Sequence, residues 1–259
     1  MVKIGLHSDM HLELQKQPND WLTQPADIVV LAGDQWKIDS AGSALSRLAK
    51  QYPKTDFIYV PGNHEFYDAG PMLAEESNLR QQIAYLDNVH FLQCSEVSLK
   101  GIRFLGCTGW SQMTSLGKHF QMDVMSTVKN GINDFYMITN SERKRVSLHD
   151  CVRVGAEHRV WLEEALSKHL SIPTVVVTHF SPSLKFGNKN YPTSEITAYF
   201  CNDYDDLIST YQPHYWLYGH THFNHNELLG STRVISNQHG YGDECGYDYD
   251  PNFMITIDV

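Results

Sequence analysis

What this 259-residue sequence lacks narrows it first. It has no Cys-x-x-Cys pair: Cys94, Cys107, Cys151, Cys201 and Cys245 are widely spaced and odd in number. Neither a thiolate zinc site nor a disulfide framework is expected, and a reducing cytoplasm is the expected location. No apolar run approaches the ~18 residues of a membrane span, and no signal-type apolar segment precedes the strand-like residues 2–6. Positive charge is scarce. Lys plus Arg is 20 against 30 for Asp plus Glu, a formal charge of −10. That field repels polyanions, so neither long nucleic acid nor an anionic membrane is an expected partner. Charged residues of all kinds are only 19% of the chain while aromatics are 12%, the reverse of a disordered composition.

Histidine, by contrast, is plentiful, with 14 copies, several beside Asp, Asn and Gly. Short apolar runs at 2–6, 28–31, 57–60, 174–177 and 215–218 each end in such a cluster. Runs of this kind suit central strands covered on both faces. Between them, apolar residues at helical spacing predict helices over 41–51, over 71–86 with Pro71 in the first turn, over 152–170 before Pro173, and over 203–211 before Pro213. Strand and helix alternate, which argues an α/β fold. Segments 89–105 and 227–259 carry strand signals without helices and predict antiparallel hairpins or edges. Residues 108–149 are polar, Met-rich and poorly periodic, and 181–197 reads as a long loop. With no repeat or linker, the chain is expected to be a single domain, 1–259, with elaborated loops near 108–149 and 181–197.

The strand ends deliver Asp9, His11, Asp34, Asn63, His64, His179, His220 and His222. In open α/β sheets, sites form where strand C-termini converge. Asp9/His11 and His220/His222 are spaced i, i+2, which in an extended segment puts both side chains on one face. The set holds carboxylates, imidazoles and one amide but no thiolate, a mixture that suits Mn, Fe, Zn, Co or Ni rather than Ca. Taken singly, each piece has a bland reading: Asp-x-His as a turn, Gly33-Asp34 as a strand exit, Thr178-His179 as a hydrogen-bonded histidine. Their joint occurrence, each after a strand, does not.

The ordered set Asp9-Met10-His11, Gly33-Asp34, Gly62-Asn63-His64-Glu65, Thr178-His179-Phe180-Ser181-Pro182 and Gly219-His220-Thr221-His222 resembles the calcineurin-like metallophosphoesterase superfamily, from residue 9 to residue 222. The resemblance implies a four-layer α-β-β-α sandwich with two divalent transition-metal ions, Mn or Fe favoured, at the strand ends. It implies that Asp9, His11 and His222 bind one ion, that Asn63, His179 and His220 bind the other, and that Asp34 bridges both. It implies further that His64 is catalytic rather than a ligand. A bridging water, its pKa brought from ~15.7 toward ~7, would attack a small phosphodiester or phosphomonoester in line. Protein-phosphatase members carry a second Asp three residues after the bridging one, paired with the catalytic histidine. Here that position is Lys37, so the chain looks more like the bacterial phosphodiesterase-like branch. The alternative from another class is a catalytically weak metal-binding scaffold or interaction module on the same fold. It is disfavoured by the presence of all seven ligand-type residues and His64. A single-strand nuclease would need a basic groove that this composition does not advertise.

Weaker candidates remain. Arg143 and Arg145 could grip a second phosphate, or simply form a solvated face. His239, in Ser236-Asn237-Gln238-His239-Gly240-Tyr241, could contact substrate. Lys185 and Lys189 lie in a loop that could close over the site. Asn133-Asp134-Phe135 resembles a short family segment near the metal rim, which implies a substrate-adjacent place. Tyr241, Tyr247 and Tyr249 could stack on an aryl group or simply pack. The methionines of 108–149 are expected to be core packing. His7 is expected to pack or to support the site from behind, and His169 to sit at a helix end.

Overall fold

The computed structural model describes residues 1–14, 22, 26–168, 171–242 and 248–259; Cys245, Tyr247 and His169 lie outside them. One sheet contains β1 (Val2–His7), β2 (Ile28–Ala32), β3 (Asp56–Val60), β4 (Val89–Phe91) and β11 (Met254–Ile257), in the order β11-β1-β2-β3-β4. The other contains β5 (Ser95–Leu99), β6 (Ile102–Cys107), β7 (Thr174–Thr178), β8 (Tyr215–Tyr218), β9 (Asn226–Leu229) and β10 (Thr232–Ser236), in the order β5-β6-β7-β8-β10-β9. The helices are α1 (Ile38–Gln51), α2 (Met72–Ile83), α3 (Gln121–Val128), α4 (Asp134–Met137), α5 (Leu148–Ser167), α6 (Glu195–Tyr199) and α7 (Asp205–Tyr211).

The layering follows from which side chains alternate. Ile28, Val30 and Ala32 of β2 pack with Val175 and Val177 of β7, so these faces of the two sheets meet. Val29 and Leu31, on the opposite face of β2, pack against Ala41, Leu45 and Leu48 of α1 and Leu79 and Ile83 of α2. On the far side, Val176 and Trp216 pack against Leu162 and Leu166 of α5 and Leu207 of α7. The result is helix, sheet, sheet, helix. The central strands are covered on both faces, which is why β2 reads as an unbroken apolar run, Ile-Val-Val-Leu-Ala.

Several sequence expectations shift in detail. Within 89–105, β5 and β6 form the expected antiparallel hairpin and β4 the expected edge, but that edge runs parallel to β3. Within 227–259, β9 and β10 form the hairpin, β10 is parallel to β8, and β11 closes the first sheet antiparallel to β1. Pro71 has extended backbone (φ −57°, ψ 129°) and precedes α2 instead of opening it. α5 starts at Leu148, ahead of the apolar periodicity, because Ser147 caps it: its hydroxyl accepts from Asp150 N–H while the Asp150 carboxylate accepts from Ser147 N–H. The segment expected to be irregular at 108–149 holds α3 and α4. There Met113 and Met125 are buried, as core packing requires, while Met122 is exposed.

Candidate metal centre

The exits of β1, β2, β3, β7 and β8 meet at one edge. Asp9 N–H donates to the Gly33 carbonyl at 3.1 Å and His11 N–H to the Asp34 carbonyl at 2.9 Å, clasping the first two exits together. The second sheet joins through His179, whose Nδ1 donates to the Ala32 carbonyl at 2.9 Å. It joins again through His220 N–H, 2.9 Å from Asp9 Oδ1.

The local conformation differs from the extended one expected. Asp9 (φ 56°), His11 (φ 44°), Asp34 (φ 54°), His220 (φ 72°) and His222 (φ 48°) are all left-handed. Non-glycine residues adopt this region at a cost and concentrate there at functional sites. The i, i+2 pairs therefore converge through tight turns, not along a flat strand. Glycine is needed where chains touch. A Cβ on Gly62 would fall on Asp34 Oδ1 and within 2.8 Å of His179 Cε1, and one on Gly219 would fall on Ser8 Oγ and within 2.9 Å of the Ala32 carbonyl oxygen.

The donor atoms form two groups joined by one carboxylate. In the first, His11 Nε2 is 3.1 Å from His222 Nε2, which lies 3.4 Å from Asp9 Oδ1. In the second, His179 Nε2 is 3.0 Å from Asn63 Oδ1 and 3.1 Å from His220 Nδ1. Asp34 Oδ2 stands between them, 3.9 Å from His11 Nε2 and 3.4 Å from His179 Nε2. Within Asp9–His11–His222 and within Asp34–His179–His220, one potential ligand atom from each residue lies within 4.8 Å of those of the others. A third grouping, His11–Asp34–His64, meets the same distance. However, both ring nitrogens of His64 are engaged elsewhere, Nδ1 with Glu13 and Nε2 with the Tyr241 hydroxyl.

Such crowding of lone pairs fits divalent cations. Because His179 donates its Nδ1–H, Nε2 is the atom it turns toward an amide oxygen, a carboxylate and a second ring. All are acceptors, and all are of the nitrogen and oxygen kind that transition ions take. The charge balance says the same. Burial opposes ionising Asp34, yet the His179, His64 and His11 rings hold its carboxyl well below the usual carboxylate range. Burial also opposes charging His179, yet Asp34 and Asp9 carry it up to about 9. Burial and the His179 charge keep His220 well below its ordinary value. The cage thus draws in one positive charge even from its own ring.

Buried groups behind the cage fix its atoms. Glu65 accepts from Asp34 N–H, Gln35 N–H, Gly62 N–H and the Tyr59 hydroxyl, all at 2.8–2.9 Å, tying the β2 and β3 exits together. Asp134 lines the cavity over the site together with Asn133, and is itself buried. It accepts from Asn63 Nδ2 at 2.9 Å, the Tyr67 hydroxyl at 2.5 Å and the Tyr199 hydroxyl at 2.6 Å. With its amide nitrogen held there, Asn63 must turn its oxygen into the cage. His64 Nδ1 lies 3.2 Å from Glu13 Oε1. Burial lowers the His64 pKa, but Asp34 and then Glu13 raise it above its ordinary value overall. Sequence reasoning passed over Glu13. The signal was present as a carboxylate continuing the i, i+2 series Asp9, His11, Glu13.

A cavity of about 720 Å³ opens over this edge. Asp34, Asn63, His64, His220, His222 and Tyr241 form one end, and Ile132, Leu184, Pro192, Ile196 and Phe200 extend the wall. Lys185 and Lys189 line it as well, but each is paired, with Asp205 at 2.6 Å and with Glu227 at 2.9 Å. Arg143 and Arg145 do not reach it. They line a separate concavity with Asp68 and Thr139, and Arg145 donates to the Met137 carbonyl at 2.8 Å. His239 is likewise absent from the cavity wall; its Nδ1 lies 2.9 Å from the Gly240 carbonyl and its ring packs edge-on against Tyr249. His7 is buried behind the site with Nδ1 2.8 Å from the Tyr249 hydroxyl.

Comparison with known proteins agrees with this geometry. Residues 2–224 match the family model for calcineurin-like phosphoesterases. An uncharacterized protein, L509, of Acanthamoeba polyphaga mimivirus is 26% identical over 92% of this chain and 88% of its own. Among solved structures, the phosphopantetheinyl hydrolase PptH from Mycobacterium tuberculosis superposes with a TM-score of 0.72 at 17% identity, covering 95% of this chain and 94% of that one. A dimetal phosphatase from Danio rerio superposes with a TM-score of 0.51 at 14% identity, over 96% and 89%. At these identities the two structures speak for the fold. The family model, with the caged donor atoms, supports the conclusion that this chain belongs to the calcineurin-like phosphoesterases and is a metal-dependent phosphoesterase.

Proposed function

We propose that the chain hydrolyses a small phosphodiester or phosphomonoester with two divalent ions, manganese or iron. Asp9, His11 and His222 would hold one ion, and Asn63, His179 and His220 the other, with Asp34 shared. The observation that carries this reading is Asp34 Oδ2 standing between two donor groups, 3.9 Å and 3.4 Å from a ring nitrogen of each. When bound, the ions supply Lewis-acid stabilisation of the phosphoryl oxygens and a water acidic enough to attack at neutral pH.

The chain's own residues do the rest. Glu65 and Asp134 hold Asp34, Asn63 and the β2–β3 exits in place before substrate arrives, so little reorganisation accompanies the reaction. His64, aimed into the cavity, donates a proton from Nε2 to the departing oxygen, a role typically worth about 10²–10⁴-fold. The Tyr241 hydroxyl, 2.8 Å from that nitrogen, marks where the leaving oxygen would sit. The remaining wall, apolar side chains interleaved with neutral polar ones such as Asn133, Asn188 and Thr193, favours an uncharged leaving group. Ile132, Leu184, Pro192, Ile196 and Phe200 are apolar, and the two lysines that line the cavity already have carboxylate partners. Cys94, Cys107, Cys151 and Cys201 are free thiols, which supports a cytoplasmic location, and no described helix is long and apolar enough to cross a membrane.

The test is a parallel screen of aryl and alkyl phosphomonoesters and phosphodiesters with Mn²⁺, Fe²⁺ and Zn²⁺. Turnover with at least one ester, abolished by chelation and restored by metal, is expected. Turnover indifferent to chelation contradicts the proposal.

A further inference from the structure

We propose that Glu13 is a positioning residue that sets the tautomers of His11 and His64 together, through a single carboxylate oxygen. Glu13 Oε1 lies 3.3 Å from His11 Nδ1 and 3.2 Å from His64 Nδ1. The two rings meet edge to face, centroids 4.4 Å apart. The carboxylate is only 9% exposed and its other oxygen has no hydrogen-bond partner, so Oε1 carries its interactions with the site. A ring nitrogen bearing a lone pair would repel that oxygen. Both Nδ1 atoms therefore carry hydrogen and donate to it.

The consequence for each ring is specific. For His11, a proton on Nδ1 leaves the Nε2 lone pair free on the side of Asp9, Asp34 and His222. For His64, it leaves Nε2 as the atom that faces the cavity and exchanges a proton there. Orienting a metal-facing histidine through its far nitrogen is a common device. Here one carboxylate serves that device and orients the proton donor as well.

The arrangement also explains Lys37. Where protein-phosphatase members place a carboxylate beside the catalytic histidine, this chain has a lysine whose Nζ instead approaches Asp68 Oδ2 at 3.7 Å on the surface. The partner has moved from the segment after β2 to the segment after β1. The catalytic part of this inference rests on the proposed function; the tautomer part does not.

The experiment therefore has two readouts on the full-length, zinc-loaded protein. The first is long-range proton–nitrogen NMR of the histidine rings. In the wild type, His11 and His64 should both appear as the Nδ1–H form, and in Glu13→Ala the His64 ring should redistribute toward Nε2–H. The second is a leaving-group series. Glu13→Ala should lose about 10²-fold in kcat with alkyl esters, under about tenfold with nitrophenyl esters that need no protonation, and under about threefold when placed on His64→Ala. At saturating zinc the metal content should match the wild type, although affinity should fall about 10–100-fold through His11. Should Glu13→Ala fail to fold, Glu13→Gln, which keeps the shape and removes the charge, is read in the same way with smaller changes. An Nε2–H form of His64 in the wild type overturns the proposal. So does a loss that is equal across leaving groups or persists undiminished without His64. If the tautomers are as stated but no ester is turned over, the positioning stands and the proposed function falls.

Discussion

Asp9, His11, Asp34, His220 and His222 sit in left-handed backbone, a conformation disfavoured for each of them alone. Their cost is offset by the clasps between strand exits and by glycines where a methyl group would collide. Gly62→Ala and Gly219→Ala should each destabilise the protein by about 1–3 kcal/mol and lower its metal content. Urea unfolding and metal analysis would show this, and a variant matching the wild type in both would contradict the close-approach argument. His7 gives a pH signature. Burial depresses it from 6.5 to about 4, so the folded chain keeps it neutral while the unfolded chain protonates it. Its contribution is complete above pH 6.5 and lost as pH falls toward 4, on the order of 3 kcal/mol. His7→Gln should flatten that part of the stability profile, and an unchanged acid limb would rule His7 out as its source. At this scale the sequence was most legible where chemistry is compressed into short motifs. Asp34, Asn63 and His64 stand beside glycine in a way that turns alone do not require. Glu13 was not legible at all, and Asp134 only as a residue near the rim, because a carboxylate's role depends on which distant ring or amide it meets.

At the scale of elements, the strands could be read within a residue or so. Burial on both faces writes itself as a continuous apolar run, and β2, β3 and β8 fall where those runs lie. Helix starts were harder, since α5 is opened by the Ser147–Asp150 cap and not by its first apolar residue. Ser147→Ala should cost about 1 kcal/mol, read as a shift in denaturation midpoint; no shift would mean the cap is redundant. The short helix α4 carried no periodicity to read. Its first residue, Asp134, gathers three donors from β3's exit and α6, so the helix is defined by a tertiary network. Asp134→Ala leaves two tyrosine hydroxyls and the Asn63 amide without their buried acceptor and should cost at least about 3 kcal/mol. It should also weaken the ion facing Asn63 before the other. Equal loss of both ions in a metal titration would show that Asp134 does not act through Asn63.

At the scale of the molecule, the two sheets each bring part of the centre. Asp9, His11, Asp34 and Asn63 follow strands of the first, and His179, His220 and His222 follow strands of the second. On the proposed ligand assignment, metal binding would tie the two halves of the sandwich together. Saturating metal at about 100 times its dissociation constant should raise unfolding free energy by about 2.7 kcal/mol, with chelation reversing it. The overall acidity, −10 formally, spoke against long polyanionic substrates but left the polarity of a small one unread; the folded cavity, with its lysines already paired, speaks to that. The central claim is that these seven residues cage two ions. The most direct measurement is the metal stoichiometry of the full chain equilibrated with Mn²⁺, alongside Asp34→Asn. The account predicts two ions per chain in the wild type and loss of most of both in the variant. A wild type that binds one ion or none, or a variant that keeps both, would contradict it.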